Sequence, residues 1–116
     1  MLSWYKVLEK IELDQNKIAI YGLLLVKVHS KTICLVRNQE GYYAIQNFCP
    51  HAGGDLSQGW CEGRRIVCPV HRYAYDLKTG RGIADQGDAV KTYPLEIRDD
   101  GLFIGLNDIW SLFNKK

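Results

Sequence analysis

The sequence predicts an all-β protein built from antiparallel sheets, arranged as a sandwich or a barrel. Apolar and polar side chains alternate at a period of two, and the short apolar runs are rich in Leu, Val, Ile and Tyr. Turn-forming Gly, Asn and Asp residues separate these runs at close intervals, which leaves little room for helices. A chain of 116 residues can build one modest core, so we expect a single domain over residues 1–116.

Four strands are predicted in the N-terminal half of the chain. They span residues 4–9, 22–28, 32–36 and 42–45. The polar segment 29–31 joins the second strand to the third as a hairpin, and Asn38–Gly41 forms the next turn. A short helix is expected near Leu13 or in the last ten residues.

Four more strands are predicted in the C-terminal half. They span residues 59–62, 65–67, 93–98 and 102–106. Gly63-Arg64 turns the first of these into the second, and Asp99-Asp100-Gly101 joins the last two.

The composition argues against several classes of function. A net charge of +2 with scattered basic residues does not suggest a nucleic-acid surface. The longest aliphatic run, residues 23–26, is far shorter than the roughly 20 residues of a membrane span. The N-terminus lacks the basic start and apolar stretch of a signal peptide. We therefore expect a soluble, cytoplasmic protein with neither a nucleic acid nor a membrane as partner.

Two of the four cysteines and one histidine are expected to be structural. Cys34 and Cys61 lie in predicted strands, and we interpret both as small buried hydrophobic residues, not as disulfide partners. His29 lies in a predicted turn and is expected to be an ordinary surface histidine.

Two short strings supply candidate metal ligands: Cys49-Pro50-His51 and, after a gap of 16 residues, Cys68-Pro69-Val70-His71. An all-thiolate set would suit zinc or an ordinary iron–sulfur cluster. A set in which two His replace two Cys on one iron is the Rieske arrangement of a 2Fe-2S centre. A structural Cys2His2 zinc site is the weaker alternative, because such sites prefer to pair Cys with Cys and His with His.

Both strings lie in loops rich in Gly and Pro, at approximately residues 47–59 and 67–80. Pro50 and Pro69 restrict the backbone beside each cysteine. Gly53 and Gly54 permit positive φ and close backbone approach. The sequence therefore predicts two loops that are fixed in shape before a cluster binds.

The two loops resemble those of the Rieske-type ferredoxins. The match runs over residues 49–59, CPHAGGDLSQG, and continues with CPVH at 68–71 and YDLKTG at 75–80. The resemblance implies a Rieske-like fold of three antiparallel sheets with both cluster-binding loops at one end. It also implies one 2Fe-2S cluster, with Cys49 and Cys68 on the inner iron and His51 and His71 on the outer iron.

The sequence departs from the Rieske proteins of respiratory and photosynthetic complexes. Those proteins carry an extra cysteine in each loop, joined as a disulfide, where Gly54 and Val70 stand here. They also place near the cluster a serine that helps raise the potential, and its counterpart here is Tyr73. Tyr75 keeps the position from which a tyrosine can hydrogen-bond a cysteine sulfur. Fewer hydrogen bonds to sulfur stabilise the reduced cluster less, so we expect a low potential.

Arg72 follows the second histidine, where ferredoxins of this kind usually have glycine. Its guanidinium could steer an acidic partner or raise the potential modestly, and the alternative is that it simply faces solvent. We expect Tyr75, Pro50, Pro69 and Arg72 to surround the cluster without binding iron.

The resemblance implies a one-electron carrier that passes electrons from a reductase to a terminal oxygenase or a related enzyme. No Ser–His–Asp arrangement, phosphate loop or paired carboxylate stands out, so we expect an electron-transfer protein and not an enzyme. It is expected to act as a monomer. The alternative is a small accessory subunit of a larger reductase, similar to the small subunit of assimilatory nitrite reductase. The apolar tail, residues 107–116, is expected to pack on the sheets or to contact a partner.

Overall fold

The structure, a computed structural model, describes residues 2–83 and 86–107. Within these residues there are ten strands, the five-residue helix α1 (Lys10–Asp14) and one 3-10 turn (Leu56–Gln58). The strands β1 to β10 span Leu2–Glu9, Leu23–Val28, Lys31–Asn38, Gly41–Gln46, Trp60–Glu62, Arg65–Val67, Ala74–Asp76, Thr92–Tyr93, Leu95–Arg98 and Gly101–Asn107. The predicted all-β class is confirmed.

The strands form three antiparallel sheets. The first has the order β1-β10-β9, the second β2-β3-β4-β8, and the third β5-β6-β7. The predicted hairpins β2–β3, β5–β6 and β9–β10 all form, with Val28 paired to Lys31 and Arg98 paired to Gly101. The short turns therefore set the register of each pair.

Strand β3 separates two hydrophobic cores. Successive side chains of a strand point to opposite faces, so Ile33 and Leu35 enter one core while Cys34 and Val36 enter the other. The first core also receives Leu102 and Ile104 from the first sheet. The second core underlies the loops that carry the candidate ligands. It contains Cys34, Val36, Ile45, Cys49, Leu56, Cys61, Ile66, Cys68, Tyr75, Leu77 and Val90.

The cysteines outside the two strings are buried, as predicted. Cys34 is fully buried and Cys61 is 8% exposed, and all four cysteines of the chain are free thiols. Burial, together with the neighbouring Cys61, raises the pKa of the Cys34 thiol to about 12. Because the thiolate is the reactive form, Cys34 is chemically inert at neutral pH.

Two predicted boundaries are wrong. The single strand expected over residues 93–98 is divided between β8 in the second sheet and β9 in the first. Pro94 separates the two strands, because it has no amide hydrogen to donate to a sheet. The second loop, expected over residues 67–80, contains strand β7, whose Tyr75 pairs with Ile66. The connection that carries the second string is therefore limited to residues 68–73.

The remaining local predictions have mixed outcomes. The helix expected near Leu13 is present, and its first turn is capped by Glu12, whose carboxylate accepts from the Glu9 amide at 2.7 Å. His29 is exposed, as predicted. Of the apolar tail, residues 108–116 lie outside the described part of the chain. No helix within residues 2–83 and 86–107 has the length and apolar character needed to cross a membrane.

Candidate metal centre

The two strings lie on neighbouring loops above the second core. The first loop leaves β4 and is closed by Cys49 N–H donating to the carbonyl of Gly54 at 2.8 Å. Gly53 N–H donates back to the carbonyl of Cys49 at 2.9 Å. The second loop connects β6 to β7 and is closed by Cys68 N–H donating to the carbonyl of Tyr73 at 2.7 Å. The backbone amide of each cysteine is thus fixed by a hydrogen bond to a later residue of its own loop.

The candidate ligands divide into a buried pair and an exposed pair. Cys49 and Cys68 have no exposed surface and belong to the second core. His51 and His71 are exposed at the loop tips, where the His51 side chain is 45% exposed. A group held between the two pairs would have one protected side and one side near solvent.

Backbone amides are directed at both thiols. Burial raises the pKa of Cys49, but a hydrogen bond from Tyr75 and the amides of Ala52 and His51 outweigh it and leave that pKa below its ordinary value. Burial raises the pKa of Cys68, and the nearby Cys49 raises it further. A hydrogen bond from the amide of Val70 acts in the opposite direction and lowers it. The two thiols therefore lie side by side among donors suited to thiolate sulfur.

Tyr73 connects the two imidazoles. Its ring centroid lies 4.0 Å from that of His51 and 6.5 Å from that of His71. The Tyr73 ring therefore packs against His51 and lies in an edge-to-face arrangement with His71. The sequence placed Tyr73 opposite a family serine but did not predict this packing role.

Tyr75 has the position that the resemblance implied. It is fully buried, and its hydroxyl lies 3.3 Å from Sγ of Cys49. The same hydroxyl lies 3.4 Å from Oδ2 of Asp88, and that oxygen lies 3.3 Å from Nδ1 of His51. Burial and the bond to Cys49 raise the pKa of Tyr75, so its hydroxyl remains protonated and can donate.

The loops approach each other closely at Gly54. A Cβ at this position would lie 2.8 Å from Cγ2 of Val70 and 3.3 Å from Sγ of Cys68. Only glycine leaves this space beside the sulfur open. Gly54 and Val70, the positions that correspond to the family disulfide, are thus in contact here without a covalent link.

Pro50, Pro69 and Arg72 are exposed around the imidazoles. Arg72 has a φ of 59°, in the left-handed region that favours glycine, and its guanidinium lies 5.9 Å from the centroid of the Trp60 ring. This contact is within cation–π distance. Arg72 is therefore positioned by an aromatic neighbour and does not extend freely into solvent.

The arrangement of the four candidate donors resembles the division of ligands in a two-iron cluster. Within the described ranges, no three His, Cys, Asp or Glu side chains stand close enough together to hold one metal ion. A Rieske cluster divides its protein donors, two thiolates on one iron and two imidazoles on the other. The buried thiol pair, the amides directed at it and the exposed imidazole pair match that division.

Comparison with known sequences identifies the family. Residues 3–94 match the family model described as the Rieske [2Fe-2S] domain. The chain belongs to the Rieske 2Fe-2S family. A naphthalene 1,2-dioxygenase system ferredoxin component from Pseudomonas aeruginosa is 36% identical over 98 residues, which cover 79% of this chain and 94% of the relative. The resemblance to Rieske-type ferredoxins is thus confirmed, and family membership gives this chain one Rieske-type 2Fe-2S cluster.

Solved structures agree on the Rieske fold. The ferredoxin of carbazole 1,9a-dioxygenase from Nocardioides aromaticivorans IC177 superposes with a TM-score of 0.76 at 24% identity, covering 91% of this chain and 99% of that one. A Mycobacterium tuberculosis protein described as an NADH-dependent nitrite reductase small subunit gives 0.78 at 18% identity, covering 92% and 97%. At these identities the likeness establishes the fold alone.

One residue of the site was not predicted from the sequence. Asp88 contacts both Tyr75 and His51, although it follows His71 by 17 residues and belongs to no recognised motif. The only local signal is its place next to Gly87, in a segment between two strands. The structure brings it to the site through an isolated bridge between Arg81 and Ala89.

Proposed function

We propose that this protein is a one-electron carrier that passes electrons from a reductase to a terminal oxygenase or a related enzyme. In this proposal Cys49 and Cys68 bind the inner iron of the cluster. His51 and His71 bind the outer iron. The observation that carries the proposal is the division of these four residues into a buried thiol pair and an exposed imidazole pair. The ferredoxin component from Pseudomonas aeruginosa supports the carrier role.

The cluster supplies a reversible one-electron couple, and the surrounding residues set its stability and its access to a partner. The second core keeps water away from Cys49 and Cys68. The Tyr75 hydroxyl can donate to the Cys49 sulfur, and the loop amides donate to both sulfurs. Tyr73 packs beside the imidazoles at the exposed end.

The docking surface in this proposal is the exposed loop end. It consists of Pro50, Ala52, Pro69, Val70 and the edges of His51 and His71. All of these except the half-buried Ala52 are exposed, and Val70 is 37% exposed. A small, mostly apolar surface of this kind suits the weak contacts of redox proteins. Arg72, next to this surface, would favour a partner with acidic groups.

The proposal also covers location and assembly. We infer that the protein acts in the cytoplasm as a monomer, over a single domain of residues 1–116, and that neither nucleic acid nor a membrane is its partner. The net charge of +2 is too small to suggest a nucleic-acid surface and so supports the absence of a nucleic-acid partner. In this account the chain carries electrons, and the chemistry on substrate belongs to the partner enzyme.

A reductase small subunit is the second candidate, favoured by the structural likeness to the Mycobacterium tuberculosis protein. That likeness establishes only the fold, and the ferredoxin relative at 36% identity favours the carrier. Co-purification with a large reductase subunit in a stable complex would favour this candidate. A free chain that exchanges electrons with two separate proteins would favour the carrier.

A redox titration of the loaded protein tests the proposed carrier function. We expect one electron per chain, fully reversible, with a midpoint at about −150 mV, the lower end of the Rieske range. The reason is that the described residues provide Tyr75 as a hydroxyl donor to sulfur, with no second hydroxyl donor to the thiols. Reduced protein is expected to pass that electron to ferric cytochrome c. A couple that is not reversible would contradict the proposal, and a clearly positive midpoint would contradict the expected low potential.

A further inference from the structure

One carboxylate joins the sulfur side of the candidate site to the imidazole side. Oδ2 of Asp88 lies 3.4 Å from the Tyr75 hydroxyl and 3.3 Å from Nδ1 of His51. The Tyr75 hydroxyl in turn lies 3.3 Å from Sγ of Cys49. Asp88 thus contacts His51 directly and is one side chain, that of Tyr75, away from Cys49.

Asp88 is held in this position from two directions. Its backbone carbonyl accepts from the Gly82 amide at 2.9 Å, and its other carboxylate oxygen lies 3.4 Å from Nε2 of Gln86. Gln86 itself is fixed to β7, because its side-chain oxygen accepts from the Ala74 amide at 2.8 Å. The Asp88 side chain is 23% exposed, so solvent screens its charge less than it screens the charge of a surface carboxylate.

We propose that Asp88 sets the reduction potential of the cluster by placing a negative charge at hydrogen-bond distance from Tyr75, whose hydroxyl contacts the Cys49 sulfur. This inference rests on the proposed function. Reduction adds one electron to the cluster from a donor protein, with no bond made or broken in this chain, and a nearby negative charge makes that addition less favourable. Asp88 therefore keeps the potential low.

Asp88 also has a second, smaller effect through Tyr75. The hydroxyl has one hydrogen and two possible acceptors, Cys49 Sγ and Asp88 Oδ2. Whenever the hydrogen is directed at the carboxylate, the sulfur loses a hydrogen bond that would stabilise the reduced cluster. Both effects act in the same direction, toward a lower potential.

The test compares the midpoint potentials of loaded variants. Asp88→Asn removes the charge and keeps the shape, and we expect the equilibrium constant for reduction to rise at least tenfold, which is about 59 mV for one electron. Asp88→Glu keeps the charge and should stay within threefold of wild type. Asp99→Asn is the matched control, because it removes an equal charge from an exposed turn in another sheet. It should leave the potential unchanged.

A double-mutant cycle separates the two effects. Tyr75→Phe should lower the reduction equilibrium constant more in an Asp88→Ala background than in wild type, because Tyr75 then has only the sulfur as acceptor. If Asp88→Asn does not load with cluster, Asp88→Ala carries the same tenfold expectation. Electron paramagnetic resonance and thermal unfolding of each variant establish that cluster and fold are intact.

Three results would overturn the inference. One is an unchanged midpoint in Asp88→Asn with an intact Rieske signal, which leaves the proposed function standing. Another is that Asp88→Asn and Asp88→Ala both fold but bind no cluster, whereas Asp88→Glu does bind it. Asp88 would then be needed for cluster binding and would not be a residue that sets the potential. The third is the absence of a Rieske signal from wild type, which would remove the proposed function as well.

Discussion

Replacing Cys49 or Cys68 with serine is expected to abolish the 2Fe-2S cluster, with loss of visible colour and of the paramagnetic signal on reduction. Each thiol is fully buried, and in our proposal each is one of the two inner-iron ligands. A serine hydroxyl is a poor substitute, because soft sulfur ligands hold iron–sulfur clusters. Iron and acid-labile sulfide per chain, with the visible spectrum, measure the outcome.

Cys61→Ser is the matched control for these variants. Cys61 is buried in the same core, its sulfur lies 3.6 Å from the Gly63 carbonyl, and it follows the first string by only ten residues. We expect this variant to load with cluster as wild type does. Retention of a full cluster in Cys49→Ser or Cys68→Ser would contradict the proposed ligand set.

Replacing Gly59 with alanine is expected to cost about 3 kcal/mol of unfolding free energy, at the upper end of the usual range for an overpacked position. A Cβ at this position would overlap the carbonyl oxygen of Val67 and lie 3.2 Å from Cδ of Pro69. The methyl group would push apart the end of the first loop and the start of the second. We therefore expect weaker cluster retention as well as lower stability, measured by denaturant unfolding followed by circular dichroism.

Gly63→Ala provides the comparison for Gly59→Ala. Gly63 has a φ of +59°, and a Cβ there would meet no atom within 4 Å. The cost is then only that of a left-handed backbone, about 1 kcal/mol. Equal losses of stability in the two variants would show that the contact with Val67 is not what makes Gly59 necessary.

The candidate ligands were predictable because their signal is local. Cys49 and His51, like Cys68 and His71, stand within three residues of each other in loops marked by Pro and Gly. The hairpins were predictable for a similar reason, since turn residues such as Asp99-Asp100-Gly101 act on their nearest neighbours. Residue types and spacings of this kind indicate the chemistry of a site without knowledge of the fold.

The errors concern features that depend on distant partners. Strand β7 directly follows a loop, and only its pairing with β6 distinguishes it from loop. Pro94 stands between β8 and β9, but its presence alone does not say that the two strands belong to different sheets. Asp88 and the packing of Tyr73 on His51 arise from contacts between separate loops, and no sequence pattern in one chain encodes them.

Electron paramagnetic resonance of the anaerobically purified protein, reduced with dithionite, tests the central claim most directly. The account predicts a rhombic signal whose average g value is lower than that of an all-thiolate 2Fe-2S cluster, because two imidazoles on one iron distinguish this cluster from an all-thiolate one. Two irons and two sulfides per chain should accompany the signal. A colourless, silent sample that contains stoichiometric zinc would contradict the account and would leave a structural metal module on a β scaffold.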